Sequence, residues 1–572
     1  MINPASAIQF TGSIFPNATE NVPYTGGSVA AIGGAGSLTY TVASGALPNG
    51  INLNSTTAAL TGTPTAKGTF NFTIMAADAY GDSNTQSYQI VVNDPALTGN
   101  RNLKGTYTCL TQGYDRYNSP WAMLSSIIAD GQGNFTGGAY DVTGVDYTKV
   151  LSGTITGNYN IGTDNNGVAT YAGTTWAIAL SNATTPAQQI RMVEVDDVGS
   201  APSTNVSTAN CYLADTSAFT PSILNNGFVF GMSGQLDSGY VQATVGAKGG
   251  RFDSSGGTIA NGYLDTLTAG ESSATAATMT GSFGTLDTAT GRVEATMSGT
   301  SASLTLLFYF IDGARAFVVD ITPYNGTGEL FAGDARVQQQ KSYSAANVNG
   351  PFVLYAQGAD IVTANGSRTP SGYYSEVVQG TADGKGHLAF GESYLDDNGQ
   401  YLPSQLIGNW GLSFDTSNTG RVTFSTGNST GYLYLYDNNS AFEMRISSNL
   451  VETGWLEPQS QTSFTDAAVA GDYMVGQWPS MQVGQNGSVG EFDLDSSGGS
   501  TGDVSTAGQG NYTQDQPLSM TYAWDSTVPG TGTLLTSKSL GTGSAICVVI
   551  SPTKIACTPK SDTAPYLMIM QK

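Results

Sequence analysis

The side chains best suited to proton transfer and nucleophilic attack are scarce in this chain. His387 is its one histidine, and it follows the turn Asp383-Gly-Lys-Gly386. Ser-His-Asp or Cys-His catalysis would have to use it, and a histidine-based zinc site would have no second imidazole. Matching turns elsewhere place Asn134, Thr258 and Ser488 at this position, so His387 reads as a surface turn residue. Carboxylates remain, and a glycosidase needs two of them flanking one bond. Asp141, Asp265, Asp396 and Asp493 each follow a Gly and an aromatic residue, but they recur once in every repeat of the chain. A catalytic pair is needed once; recurrence predicts a local structural role, such as a side chain bonding turn backbone. The sequence also has no Walker or dinucleotide fingerprint. A non-catalytic protein is expected, with a carboxylate-based glycoside hydrolase as the residual enzyme reading.

Metal and covalent chemistry are limited in the same way. Asp78 and Asp94 offer oxygen ligands near the end of the first unit, and Asp493-Leu-Asp495-Ser-Ser497-Gly498 has the opening of an EF-hand loop. Val504 stands where the bidentate Glu belongs, so calcium is a weak expectation and turn carboxylates the plainer one. No other cofactor is expected. Cys109 and Cys211 lie near the two ends of one repeat, and Cys547 and Cys557 flank a Ser551-Pro552 hairpin. No Cys-x-x-Cys spacing suggests a metal; two disulfides within domains, in an oxidising compartment, are expected, with four buried free thiols as the alternative. Tyr114, Tyr117, Trp121, Tyr373, Tyr374, Trp478 and Trp524 fall in or near predicted loops. Such rings stack on sugars, cover domain junctions or anchor protein interfaces.

Composition says what must position these residues. Only 11% of residues are charged, while 40% are hydrophobic and 10% aromatic, which excludes bulk disorder. The 73 glycines and the many Thr, Asn and Tyr residues suit turns and pleated strands. A net charge of −23 repels phosphate, which argues against nucleic acid and anionic membrane surfaces. No apolar run reaches the length of a membrane-spanning helix. Met1-Ile2-Asn3-Pro4 lacks the regions of a signal peptide, so the expectation is an exported chain whose signal has been removed or whose start is artificial.

Between Ile8 and Asn93 the order is Ser44-Gly-Ala-Leu-Pro-Asn-Gly-Ile-Asn-Leu53, Thr61-Gly-Thr-Pro64, Gly68-Thr-Phe-Asn-Phe-Thr-Ile-Met75 and Tyr88-Gln-Ile-Val-Val92. This stretch resembles the bacterial putative-Ig, cadherin-like family. The resemblance implies a β-sandwich that serves as a spacer or adhesion module, with calcium at domain junctions in cadherin-like relatives.

The rest of the chain repeats itself. Gly105, Gly227, Gly350 and Gly471 open four copies, 122, 123 and 121 residues apart, a period that matches a whole small domain. Each copy goes on to an Asp-Gly or Asn-Gly type of turn, namely Asp130-Gly-Gln-Gly133, Asp253-Ser-Ser-Gly-Gly257, Asp383-Gly-Lys-Gly386 and Asn486-Gly487. Two closing apolar runs follow, such as Leu306-Leu-Phe-Tyr-Phe-Ile311 with Ala316-Phe-Val-Val-Asp-Ile321, and Tyr432-Leu-Tyr-Leu-Tyr436 with Ala441-Phe-Glu-Met444. About eight short strands per copy predict an antiparallel barrel, with a two-sheet sandwich as the alternative. The barrel is favoured because Cys109 and Cys211, on first and last strands, meet only if the sheet closes. In style the copies resemble secreted β-rich proteins of Gram-negative soil bacteria, acidobacteria especially.

The fold expected is therefore all-β: an Ig-like sandwich with an N-terminal extended segment over 1–95, then repeats over 103–216, 225–337, 348–459 and 469–572, strung like beads. The function expected is that of an extracellular or cell-surface structural or adhesive protein. Its partners would be further copies, pairing through the extended segment 1–16 to build a filament, or other surface proteins. The alternative is a secreted polysaccharide binder that uses loop aromatics. Small hydrophobic ligands inside the barrels would need interior space.

Overall fold

The computed structural model describes residues 7–11, 15–93, 99–114, 119–145, 150–181, 185–195, 207–236, 244–268, 271, 274–299, 302–322, 328–364, 367–397, 400–403, 409–426, 429–461, 464–477, 487–508, 511–524, 531–536, 544–560 and 567–572. The first unit is an Ig-like sandwich. A four-stranded sheet (Ala18–Thr19, Ser83–Asn93, Gly68–Ala77, Thr39–Gly45) faces a three-stranded one (Tyr24–Ser28, Ala59–Gly62, Ile51–Leu53). Alternation in Gly68–Ala77 sends Phe72, Ile74 and Ala76 inward, where they meet Leu60, Tyr88 and Ile90. Gln9–Thr11 pairs with Ala30–Ile32 of the same sandwich, so this part of the extended segment is already matched within its own domain.

Each of the four repeats is an eight-stranded antiparallel meander closed on itself. Barrel 2 runs through Gly227–Leu236, Thr244–Ser255, Thr258–Thr268, Thr275–Phe283, Arg292–Gly299, Ser303–Phe310, Arg315–Asp320 and Glu329–Val337, and its first strand pairs with its eighth. Barrel 4 (Gly471–Gln477 to Met568–Gln571) closes likewise. Barrels 1 (Lys104–Tyr114 to Thr208–Leu213) and 3 (Asn349–Ala364 to Leu450–Pro458) do the same with the fourth strand in two pieces. Closure leaves no sheet edge for unwanted pairing. In barrel 1 it is covalent: Cys109 on the first strand lies opposite Cys211 on the eighth, and the two are disulfide-bonded. Cys547 and Cys557 join the sixth and seventh strands of barrel 4. Interiors are filled by side chains. In barrel 2 Phe228, Phe230, Phe252, Phe283, Phe308 and Phe310 pack ring to ring, which takes up the space a hydrophobic ligand would need.

The four barrels do not hang as beads; they pack into a closed ring. The first three strands of each barrel lie against the sixth to eighth strands of the next. Leu110 and Leu124 of barrel 1 meet Tyr309, Phe317 and Leu330 of barrel 2. Val229 and Ala247 of barrel 2 meet Tyr434, Phe442 and Trp455 of barrel 3, and Val353 and Val377 of barrel 3 meet Val548, Ala556 and Ile569 of barrel 4. The contact then recurs between the ends of the array: Met474 and Val489 of barrel 4 meet Ala177, Ala179 and Val193 of barrel 1. A head-to-tail contact repeated in this way closes a ring when its rotation allows. The apolar runs explain why the strands tolerate this arrangement. A strand such as Ser303–Phe310, apolar at nearly every position, is buried on both faces, one toward its own barrel and one toward its neighbour.

Candidate functional site: the seams between barrels

The recurring aspartates sit at these seams. Asp141, on the third strand of barrel 1, is buried and accepts hydrogen bonds from Arg292 Nε (2.6 Å) and Tyr309 OH (2.7 Å) of barrel 2. Asp265, on the third strand of barrel 2, accepts Arg421 Nε (2.6 Å) and Nη2 (2.9 Å) and the Tyr434 hydroxyl, all from barrel 3. Arg292 is paired in register with Tyr309, and Arg421 with Tyr434, so one ladder position of the receiving barrel supplies both donors. The expectation of a local turn role is corrected: these carboxylates bond the next barrel. At the third seam a related triad has other members: Glu457 and Tyr355 of barrel 3 bond Lys554 Nζ of barrel 4 at 2.6 and 2.8 Å. Asp396 is buried on the same face of barrel 3, opposite Ser375, which bonds Thr558 of barrel 4. Backbone links repeat as well, with Asp215 N to Ile311 O, Gln339 N to Tyr436 O and Ser460 N to Ile550 O at 2.8, 2.8 and 3.0 Å.

Asp493 does not belong to this set. The fourth copy turns from its second to its third strand at Asp495-Ser-Ser-Gly-Gly499, which repeats Asp253-Ser-Ser-Gly-Gly257, whereas Gly487 opens its second strand. Asp493 therefore lies on the second strand, exposed and opposite Thr501. The carboxylate of Asp495 accepts the amides of Ser497 (2.6 Å) and Gly499 (3.0 Å) inside its turn. Asp78 does the same for Ala35, Tyr80 and Asp82 at 2.8–3.0 Å, and the Ala35 amide leads the effects holding its pKa below the usual value. Both side chains thus have structural duties as turn acceptors. Asp94 lies outside the described residues, and no group of three or more metal-binding side chains occurs among those described. His387 bonds Asp383 across its turn (2.8 Å) and is exposed.

The aromatic candidates separate in the same way. Tyr114 is on a strand, not in a loop, and is buried at the first seam, where Gln235 of barrel 2 donates to its hydroxyl. Trp121 is also on a strand, packed against the barrel 1 core. Tyr374 points into barrel 3, and Tyr373 packs among the apolar residues at the barrel 2–3–4 contacts. Tyr117, Trp478 and the side chain of Trp524 lie outside the described residues.

Two acidic clusters were missed by sequence reasoning. Inside barrel 3, Arg445 Nη2 bonds Glu452 (2.6 Å) and Glu376 (3.2 Å), and Tyr374 donates to Glu452 (2.7 Å). Glu443 is buried beside them, against Glu452. Burial and then Glu452 push Glu376 up to about 8, and the same two causes raise Glu443 well above the carboxylate range. In the ladder, Glu443 occupies the place of Met192, Val318 and Cys557 in the other barrels. Its signal was a Glu two residues after inward-facing Ala441. The second cluster flanks the seam of barrels 4 and 1, where a cleft of about 460 Å³ is lined by Glu491, Asp493 and Asp503 together with Asn166 of barrel 1.

At the hub, Arg315 bonds Asp334 (2.7 Å) and lies over the ring of Tyr212 (3.8 Å), while Arg191 packs against Gly476 of barrel 4. Burial opposes ionisation of Tyr212, yet Arg315 and Arg191 bring its pKa below that of a free phenol. The cavity where barrels 1, 2 and 3 meet holds only about 40 Å³.

Residues 9–93 match the family described as Putative Ig domain; the match stops before the first barrel. No curated protein matches the sequence. Among solved structures, protocadherin gamma B2 extracellular cadherin domains 3–6 align at 10% identity over 66% of this chain and 96% of theirs, with a TM-score of 0.14. The human desmocollin-1 ectodomain aligns at 9% identity over 90% and 78%, with a TM-score of 0.15. Overlap that slight leaves this chain's function to be argued from its own residues.

Proposed function

We propose that this is an extracellular, non-catalytic structural or adhesive protein in which an Ig-like module is carried on a ring of four barrels. The observation that carries the reading is that the recurring reactive side chains are engaged in assembly: Asp141 and Asp265 hold neighbouring barrels together. The Ig-like module is fixed to the ring, because Thr19 bonds Asn160 of barrel 1 (3.1 Å) and Asn100 accepts from the Ile161 amide (2.6 Å). Disulfides in two barrels fit the oxidising conditions outside the cell. The acids in barrel 3 are sealed from solvent, which suits a structural role better than hydrolysis of a polymer.

The test has two arms. Beads coated with the protein are expected to bind cell surfaces or one another, and a panel of glycoside, ester and peptide substrates is expected to stay intact. Turnover lost on Glu376→Gln or Glu491→Gln, with no bead adhesion, would replace this reading with an enzymatic one.

A further inference from the structure

The ring's four seams share a plan but not a strength. Three are tethered by a linker and carry a carboxylate–cation–tyrosine triad. The fourth, between barrels 4 and 1, has no linker. Counting along the ladder from the inward ring of the first strand (Tyr107, Phe228, Tyr473), the position of Asp141 and Asp265 falls on Ser505 in barrel 4. The position of the Arg–Tyr pair falls on Asn166 and Ala179 in barrel 1. These three residues cannot make the ion pair. The apolar contact is built mostly from small side chains, Ala177, Ala179, Val193 and Ala507, with Val489 and Met474.

Beside this contact, like charges approach from both barrels. Glu491 faces Asp493 on its own strand, Asp472 and Asp503 on the flanking strands, and Asp164 on the turn of barrel 1. Among the described residues, cations near this contact are Arg191, packed on Gly476, and Lys572, which bonds the Ala470 carbonyl.

We propose that this seam is exchangeable: it parts within one chain and re-forms between two, seating barrel 4 of one copy on barrel 1 of the next. Every copy carries both complementary faces, and a head-to-tail contact either closes or propagates. The partner is a second copy of this chain, whatever the Ig-like module binds. Protons and salt govern the exchange. Burial, then Asp472, Asp164, Asp493 and Asp503, push Glu491 up to about 8 in the closed ring. Ionisation above that pH sets Glu491 against Asp164 across the seam and favours parting. Acid restores the contact, and salt screens the repulsion.

The experiment holds the full chain, concentrated, at about pH 9 in low salt, returns it to about pH 5.5, and measures mass by light scattering after gel filtration. Species at multiples of 59.1 kDa are expected, and they should be absent from protein kept in acid throughout. Glu491→Gln should lower their yield about tenfold, the ratio change of one unit of pKa. Installing the missing triad with Asn166→Arg, Ala179→Tyr and Ser505→Asp should abolish them. Hydrogen exchange supplies a readout that survives poor folding of the triple variant. At about pH 9, after correction for intrinsic rates, residues 174–180 and 487–494 should lose protection while residues 303–310 keep theirs. A chain that stays at 59.1 kDa at every step, or oligomers undiminished in Glu491→Gln, overturns the proposal.

Discussion

Asp265 and Arg421 lie 156 residues apart and face each other through two hydrogen bonds, 2.6 and 2.9 Å, across the seam between barrels 2 and 3. The carboxylate is wholly buried, and the guanidinium also lies over the rings of Tyr263 (4.4 Å) and Tyr432 (5.0 Å). A buried bidentate pair of this kind contributes orientation as well as energy, because its two bonds fix the angle at which the barrels meet. Side chains of barrel 3 also come close to the barrel 2 backbone here. A Cβ on Gly249 would meet Met444 Cε at 2.6 Å, so the glycine lets barrel 3 seat against the strand.

Asp265→Asn should therefore loosen the second seam. Removing one partner of a buried ion pair costs about 3–5 kcal/mol, because the other charge is left without compensation. Arg421 keeps some solvent access, so the lower end of that range is expected. A chain of several domains does not unfold in one step, which makes local hydrogen exchange over residues 429–437 the appropriate readout. Replacing both partners, as Asp265→Asn with Arg421→Met, should recover part of the loss. Equal loss in the single and double variants would show that the pair contributes little as a pair.

Much of the architecture could be read in the residues, and the exceptions have physical reasons. The spacing of Gly105, Gly227, Gly350 and Gly471 announces four equal β-units, and closure follows from Cys109 and Cys211 lying on first and last strands. The ring was hidden because alternation within one strand reports only one buried face. Its trace was present in Leu306–Ile311 and Tyr432–Tyr436, where the apolar run does not alternate, as expected of a strand between two cores. The seam aspartates were visible as a recurring motif but not as interfacial, since their partners Arg292 and Arg421 lie in the next repeat. The fourth copy was misaligned because Asn486-Gly487 imitates the turn that Asp495–Gly499 makes.

Stability should fall as pH rises. In the folded protein Glu376 holds its proton up to about 8, through burial and the neighbouring Glu452, whereas an unfolded Glu releases it near 4.3. The native state binds the proton more tightly, so this stability is complete below the usual carboxylate range and is lost as pH climbs through about 8. Asp360, raised to about 7 by burial and Asp397, acts in the same direction. Thermal unfolding of barrel 3 should occur at the highest temperature near pH 5 and decline toward pH 9. Glu376→Gln should flatten that decline, and an unchanged slope would remove Glu376 as its cause.

The two disulfides should differ in worth. Cys109–Cys211 spans 102 residues and Cys547–Cys557 only 10. Loop-closure entropy in the unfolded chain predicts about 4.7 kcal/mol for the first and about 2.7 kcal/mol for the second. The first also fastens the two strands that close barrel 1, so paired Cys→Ala variants at 109 and 211 should melt that barrel well before those at 547 and 557 melt barrel 4. Exchange rates over residues 104–114 and 554–560 measure each loss separately. The reverse order would mean that closure of barrel 1 relies on its core alone.

Adhesion, if the Ig-like module supplies it, should depend on Tyr80. Among the described residues its side chain is 83% exposed, and Ile32, on the strand that leads into the neighbouring loop, is 59% exposed. The turn that carries Tyr80 is nonetheless held firmly, because Asp78 accepts the amides of Tyr80 and Asp82 and also that of Ala35. A large ring presented on a fixed turn loses little entropy on binding, which is what makes tyrosine an effective interface anchor. Tyr80→Ala should weaken binding of the coated beads about tenfold or more while leaving the melting temperature unchanged, since the ring buries almost nothing within the fold. Asp78→Asn should weaken binding by a different route, freeing the turn and lowering the module's stability through the weakened carboxylate–amide bonds. If Tyr80→Ala binds as the parent does while Asp78→Asn does not, the contact lies on the loop at residues 33–36, which Asp78 also holds, and not on the ring.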